Sequence, residues 1–564
     1  MSNAIREKLR RLYGEQVGEQ TYAGMGDLLT PVQSGDVGSL AVDKHDVMLI
    51  CYGDHVQDGD TPPLAVMQRF LKERVHPTIN SVHFLPFYPW TSDDGFSVVD
   101  YYRVDDALGD WEHIRSMTGD FRLMFDAVFN HISSQSEWFQ KYLAGEAPYD
   151  GYFIDVPPET DLSAVVRPRA LPLLSPYETA NGTRHVWTTF SPDQVDLNVE
   201  NPAVLIELLK VLRFYVEQGM AFVRLDAIAF LWKAIGTTSI HLEQTHLIIQ
   251  MMRDYLDVIA PDVIIITETN VPHEENISYF GDGTNEAQLV YQFPLPPLVL
   301  HTMAAGDTTH LTRWAGSLAP AADRTTFFNF TASHDGIGLR PVTGLLSDDE
   351  VQALVQRTEA HGGQVSYKNN SDGSQSPYEM NITYFDAITD PQVTAQTPDV
   401  AVKRFIVAQA IALSLAGVPG IYFSSLFGGR NWTAGVAQTG RARTINRRKY
   451  DYSTLTADLT GDTLRQQVFT AMMALLEQRR NTPACHPLAA QTVLDVGPSV
   501  FAVLRQTGDG EHGLLALHNV TGQPVTVTVP ADVVNRYAWD AGERSLDGLT
   551  LLPYEVLWIN GTAG

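Results

Sequence analysis

Eight short apolar runs, each followed by polar or charged residues, constrain this chain more than any other feature. They are Asp46–Cys51, Ser81–Pro86, Arg122–Asp126, Ala221–Leu225, Val263–Ile266, Gln288–Gln292, Phe327–Phe330 and Gly420–Phe423. Runs of this length are too short for helices, and apolar residues at consecutive rather than alternate positions describe strands buried on both faces. Most are separated by segments with helical periodicity, such as Pro202–Gly219 and Leu242–Ile259. Strands of this kind form a parallel sheet covered by helices. Eight of them close into a (β/α)8 TIM barrel, whose chemistry sits at the carboxyl ends of the strands.

Two intervals are too long for simple connections. Between Asn130 and Ala221 lies a Pro-, Asp- and Ser-rich stretch with Tyr149-Asp-Gly-Tyr152 and Arg167-Pro-Arg-Ala-Leu-Pro172. Between Gly336 and about Val400 the chain is punctuated by Gly362-Gly363, Asn369-Asn-Ser-Asp-Gly373 and Ser376-Pro377. Both read as insertions overhanging the catalytic face. From about residue 481 short alternating strands, such as Leu514–Val520 and Val525–Val529, describe a small antiparallel β domain. The expected organisation is 1–131 for an N-terminal helix and the first barrel strands, 132–200 for an inserted subdomain and 201–335 for the barrel segment bearing the catalytic carboxylates. It continues with 336–400 for a second inserted loop subdomain, 401–480 for the end of the barrel and 481–564 for the C-terminal β domain.

Composition narrows the partners. Lysine and arginine total 39 against 66 aspartate plus glutamate, and the net charge of −27 repels nucleic acid and anionic membranes. No run of 18 apolar residues occurs, and Met1–Tyr13 alternates charge with aliphatics at helical spacing instead of forming a secretory signal. The expectation is a soluble, cytoplasmic protein, monomeric or homodimeric. Two cysteines, Cys51 and Cys485, exclude a disulfide framework and a cysteine-rich zinc module. His241 and His246 bracket Glu243, but their spacing of five is not that of a zinc-binding helix, and they read as structural. No metal is expected.

The strand ends carry carboxylates. The third run continues through Asp126 to Asn130-His131, the fourth through Arg224-Leu225 to Asp226, the fifth to Glu268-Thr269-Asn270 and the seventh to Ser333-His334-Asp335. A retaining glycosidase needs two carboxyl groups about 5–5.5 Å apart, one to attack the anomeric carbon and one to protonate the leaving oxygen. The nucleophile must stay ionised, which Arg224, two residues back on the same strand face, favours in Asp226. The acid must hold its proton near neutrality, which burial or a nearby like charge achieves. Taken singly, Asp226 reads as a helix cap, and His131 and His334 as structural histidines. Glu268 is harder to explain that way, because a carboxylate continuing a buried strand is costly unless paired or functional.

The ordered set Asp126–His131, Arg224-Leu225-Asp226, Glu268 and His334-Asp335 resembles the four sequence regions of the α-amylase superfamily, glycoside hydrolase family 13. The resemblance implies that Asp226 is the nucleophile, Glu268 the general acid/base and Asp335 the transition-state-stabilising carboxylate, with His131, Arg224 and His334 binding glucose. Longer strings resemble its sucrose phosphorylase subfamily, from about residue 40 to the carboxyl end: His83–Pro89, Asp93–Phe96, Arg167–Arg169, Val186–Phe190, Tyr291–Leu298, His334–Gly338 and Arg443–Arg447. These imply Asp93 and Arg443 at the closed end of a glucose pocket and Phe190 as an aromatic platform beside the anomeric centre.

A glucosyl-enzyme on Asp226 can be resolved by water, a sugar hydroxyl or phosphate, so the acceptor site chooses among hydrolase, transglucosidase and phosphorylase. Phosphate needs concentrated cationic donors, which an acidic chain must supply locally. Arg167, Arg169 and Lys368 are the candidates, the resemblance favouring Arg169. Asn270, Phe230 and Val166 stand where sucrose phosphorylases usually carry His, Tyr and Tyr, and they point away from fructose as the acceptor. Asp161-Leu-Ser-Ala, Ile266–His273, Lys368-Asn-Asn and Ser376–Glu379 resemble the branch containing bacterial glucosylglycerate phosphorylases, whose relatives act on sucrose 6-phosphate and glucosylglycerol. The resemblance implies a small α-glucoside and inorganic phosphate as substrates, no cofactor, α-D-glucose 1-phosphate as product, and an acceptor such as D-glycerate or a sugar phosphate near Arg167, Arg169, Phe230, Asn270 and Lys368.

Overall fold

The structure, a computed structural model, describes residues 2–35, 40–169, 171–318, 323–369 and 374–563. Each of the eight apolar runs becomes one strand of a closed parallel barrel: β1 (Met48–Cys51), β2 (Ser81–Phe84), β3 (Arg122–Ala127), β4 (Met220–Leu225), β5 (Ile264–Thr267), β6 (Leu289–Tyr291), β7 (Thr326–Phe330) and β8 (Val418–Tyr422). The strands pair in chain order and β8 returns to β1, with Ile50 opposite Tyr422. Every residue of β1, β2 and β5 through β8 is buried, as expected when side chains on one face fill the barrel and those on the other meet helices. The barrel is tight enough to dictate composition: a Cβ on Gly420 of β8 would stand 2.5 Å from the Phe328 ring.

The surrounding helices follow from local signals. Helix Pro202–Glu217 begins with proline at its first turn, the Asn201 side chain accepts from the Ala203 N–H, and Leu205, Leu208, Leu209 and Leu212 are buried. Helix Ser2–Tyr13 is tied to helix Glu243–Ile259 by an ion pair between Lys8 and Asp254 at 2.5 Å.

In the first insertion a hairpin pairs Leu174–Thr179 with Gly182–Trp187. The short strand His131–Ser133, just beyond β3, pairs with Gln194–Asp196 and fastens the insertion to the barrel. Ala170, within the Arg167–Pro172 string, lies outside the described residues, as do residues 370–373 of the Asn369–Gly373 punctuation. The stretch 336–400 is more than loop. It holds helix Asp348–Ala360 and a three-stranded sheet of Ile337–Gly338, Gln375–Asn381 and Gln364–Asn369. The helix starts at a capping box, with Ser347 accepting from the Glu350 N–H and Glu350 reaching back to the Ser347 N–H. Near the C-terminus, Ala490–Leu494, Val500–Gln506, His512–Asn519, Val556–Thr562 and Ala538–Trp539 form a five-stranded antiparallel sheet.

Among the described residues no helix is long and apolar enough to cross a membrane. None of their His, Cys, Asp and Glu side chains form a group of three or more able to hold a metal ion. Cys51 and Cys485 are free and buried.

Candidate active site

A cavity of about 350 Å³ opens at the carboxyl ends of the strands, and all fourteen residues singled out from the sequence line it. Arg224 comes from β4 and Asp226 directly follows it, Glu268 and Asn270 follow β5, and His334 and Asp335 lie in the segment after β7. His131 follows β3, Asp93 follows β2, Phe230 follows β4 and Arg443 follows β8. The first insertion supplies Arg167, Arg169 and Phe190, and the second supplies Lys368.

Arg224 organises the centre. The register sets Asp126 of β3 beside Arg224 of β4. The guanidinium Nη1 donates to Asp126 Oδ1 at 2.5 Å and to Asp226 Oδ1 at 2.7 Å, while Nη2 lies 3.9 Å from Glu268 Oε2. Asp126 is itself fixed by His83 Nε2 of β2 at 2.7 Å. Burial alone would raise the Asp126 carboxyl, but His83 and Arg224 hold it below its ordinary value. Directly after Asp226 the backbone turns left-handed at Ala227, with φ of 48°, and the Ala227 N–H donates to Glu268 Oε2 at 3.0 Å. The left-handed residue after Asp226 thus presents its N–H to the Glu268 carboxyl.

The electrostatics separate the carboxylates. Burial pushes the Asp226 and Glu268 carboxyls up, Asp226 the more strongly, and neighbouring negative charge adds to both shifts, from Glu268 on Asp226 and from Asp335 on Glu268. The pair therefore keeps a proton near neutrality. Arg224 favours the anion on both groups, touching Asp226 directly and standing 3.9 Å from Glu268. Asp335 is different. Burial would raise it, but Arg443, Arg447 and Arg224 together hold it far below the ordinary carboxylate range. Arg443 Nη1 lies 2.5 Å from Asp335 Oδ1, and Arg447 Nη2 lies 3.6 Å away. Asp93 behaves likewise: against burial, Arg169, Arg443 and Arg447 hold it at about 2, and Arg169 Nη2 approaches within 3.1 Å.

Aromatic and neutral groups complete the walls. Phe190 lies 5.2 Å from the His131 ring and meets Phe230 edge-on at 5.6 Å. His334 stacks on Phe96 at 4.8 Å, and burial lowers it to about 3, so its imidazole is neutral. Arg340 joins Arg167, Arg169 and Lys368 in lining the cavity, held loosely by Glu275 at 3.4 Å. His241 and His246 belong to other pairings, with Glu275 and with Glu286.

Sequence reasoning missed four contributors. Glu379, on the second insertion, grips Arg443 with two hydrogen bonds, to Nε at 2.9 Å and Nη2 at 2.6 Å. Gln194 Nε2 reaches Asp93 Oδ2 at 3.4 Å, the Phe96 carbonyl at 3.2 Å and His131 Nε2 at 3.2 Å. Arg340 and Tyr378 line the cavity. Glu379 and Tyr378 stood in a quoted string without a role, whereas no periodicity or spacing marks Gln194 or Arg340.

Two buried carboxyls that share a proton, a third fixed anion and a cationic wall suit nucleophilic substitution at an acetal carbon followed by capture of an anion. Residues 76–336 match the family described as the α-amylase catalytic domain. Over 566 aligned positions the chain is 45% identical to a glucosylglycerate phosphorylase of Allomeiothermus silvanus, an alignment spanning 99% of this chain and 98% of that protein. It is 45% identical to a glucosylglycerate phosphorylase of Escherichia coli over 522 residues, 92% of each. The sucrose 6F-phosphate phosphorylase structure from Thermoanaerobacter thermosaccharolyticum superposes with a TM-score of 0.73 at 23% identity, covering 85% of this chain and 94% of that one, a likeness of fold.

Proposed function

Because this chain belongs to glycoside hydrolase family 13, the α-amylase family, we propose that it is a retaining α-glucoside phosphorylase that acts on 2-O-α-glucosylglycerate. Asp226 attacks C1 of the glucosyl unit as Glu268 protonates the leaving oxygen; the C1–O bond to glycerate breaks and a β-glucosyl-enzyme forms. A phosphate oxygen then attacks C1 from the face glycerate left, the C1–O bond to Asp226 breaks and restores its carboxylate, Glu268 takes up any proton that the phosphate oxygen carries, and α-D-glucose 1-phosphate departs. Asp335, His131, Arg224 and His334 bind the glucosyl unit, Asp93 and Arg443 close its far end, and Phe190 stacks beside C1. Arg169 and Lys368 receive phosphate, while Arg167, Phe230 and Asn270 face the acceptor.

The observation that carries this reading is the cationic wall. In a chain of net charge −27, Arg167, Arg169, Arg340 and Lys368 all line the cavity that holds the carboxyl pair. Water as acceptor needs none of them, whereas phosphate and a carboxylate acceptor need several. The near-full-length similarity to glucosylglycerate phosphorylases supports the same choice. No cofactor enters the scheme, and the partners are the glucoside and phosphate. Free, buried thiols suit a reducing cytoplasm, where we place the protein as a monomer or homodimer.

The test is phosphate release from α-glucose 1-phosphate with D-glycerate, fructose, fructose 6-phosphate or glycerol as acceptor. Glycerate is expected to exceed glycerol in kcat/KM by about tenfold or more, since a hydrogen bond to a charged group contributes about 1.5–3 kcal/mol. Equal rates with all four acceptors would sink the glycerate assignment.

A further inference from the structure

Asp193 lies three residues after Phe190, and its hydrogen bonds join two segments of the barrel's rim. Its carboxylate accepts from Thr91 Oγ1 at 2.6 Å and from Ser92 Oγ at 2.5 Å. Ser97 Oγ reaches both Asp193 Oδ2, at 2.9 Å, and the Asp193 carbonyl, at 2.7 Å. From beyond β3, Ser134 Oγ donates to Oδ1 at 2.6 Å and Ser133 Oγ lies at 3.4 Å. An ionised carboxylate offers about four acceptor positions, so this set of hydroxyls saturates it. The same hydroxyls hold the Asp193 carboxyl below its ordinary value against the opposing effect of burial.

Between Ser92 and Ser97 the chain makes a left-handed turn. Asp93, Asp94 and Gly95 have φ of 54°, 51° and 111°. Two successive non-glycine residues in that region persist only where their surroundings over-determine them. At Gly95 a Cβ would stand 2.7 Å from the Pro86 carbonyl oxygen, which leaves the turn no room to shift inward. At its tip the turn is held by ion pairs, Asp93 to Arg169 and Asp94 to Arg447. At its base the Thr91 N–H donates to the Ser97 carbonyl at 3.1 Å. Asp193 binds both flanks at once and does not itself line the cavity.

We propose that Asp193 is a positioning residue for the glucosyl site: by gathering the hydroxyls of Thr91, Ser92 and Ser97 it locks the left-handed turn that presents Asp93 to the cavity. It thereby sets affinity for the glucosyl unit more than the rate of bond cleavage. The proposal rests on the reading of this cavity as a glucoside site. A residue that only fastened the insertion to the barrel would, when removed, lower stability, kcat and acceptor affinity together. A residue that aims Asp93 acts through Asp93 alone.

The experiment compares wild type, Asp193→Ala, Asp193→Asn, Asp93→Ala and the Asp193→Ala/Asp93→Ala double variant. Each is read by calorimetric binding of 1-deoxynojirimycin, a glucose-shaped cation that needs no acceptor, and by KM for α-glucose 1-phosphate and for the acceptor. In Asp193→Ala the probe Kd and the donor KM are expected to rise about tenfold or more, with kcat and the acceptor KM within about twofold of wild type. Asp193→Asn, which keeps one carbonyl acceptor, recovers part of the loss. The double variant binds the probe no more weakly than Asp93→Ala, because residues coupled through one shared turn are not additive. Unchanged probe affinity in Asp193→Ala, or losses that multiply in the double variant, would overturn the proposal. If Asp193→Ala does not fold, Thr91→Val with Ser92→Ala removes two of the same hydrogen bonds and carries the same expectation. A wild type that binds the probe but shows no glycerate preference overturns the glycerate assignment alone. A wild type that does not bind the probe overturns the glucoside site and this proposal with it.

Discussion

Asp226→Asn is expected to lower kcat by about 10⁴-fold or more while the protein keeps its fold. In the proposed mechanism the Asp226 carboxylate forms the covalent bond to C1, and an amide in its place cannot do so. Stability should change little, because Arg224 retains its hydrogen bond to Asp126, and Asp126 retains His83. Circular dichroism and a thermal melt check the fold, and initial phosphate release checks the chemistry. Turnover within about tenfold of wild type would remove Asp226 from the mechanism.

The second large effect falls on Glu268→Gln, which should slow cleavage of glucosylglycerate by about 10²–10⁴-fold. The loss should shrink greatly with α-glucosyl fluoride and phosphate, since fluoride leaves without a proton and phosphate dianion attacks without giving one up. The pH profile carries the sharper signature. In the proposed mechanism Glu268 is the acid of the first step, so the active form is the protonated one, present below its folded pKa and lost as pH rises through it. Burial raises that pKa above the ordinary glutamate value, and the neighbouring charge of Asp335 adds to the rise. The wild-type rate should therefore fall on the alkaline side with a midpoint above the glutamate range, and Glu268→Gln should lack that limb. An alkaline limb at the same pH in wild type and Glu268→Gln would assign it to another group.

Much of this architecture is legible without coordinates. The eight strands stand out because barrel strands are apolar on both faces, so each reads as an uninterrupted run, and the first polar residue after each run marks the mouth of the barrel. Glu268 was visible as a carboxylate where hydropathy demands an aliphatic. The two insertions were visible as intervals too long for a single crossover, and each brings cations to the cavity. What could not be read was partnership across the chain. Glu379 meets Arg443 over 64 positions, and Gln194 meets Asp93 over 101. No local pattern encodes such distances, since each side chain looks like an ordinary polar residue in a loop. Helix Asp348–Ala360 is a different kind of omission. Its Ser347-Asp-Asp-Glu350 start is a capping-box signature, but glycine and asparagine punctuation further along drew the whole stretch toward loop.

The central claim is that the glucosyl unit passes from glycerate to phosphate through two inversions at C1. Proton and phosphorus NMR of the reaction of 2-O-α-glucosylglycerate with inorganic phosphate, followed from the first turnovers, tests it most directly. The expected result is α-D-glucose 1-phosphate appearing with D-glycerate in equal amounts, at a rate that depends on phosphate. Free glucose released at a rate independent of phosphate, or the β-anomer of glucose 1-phosphate as first product, would contradict it.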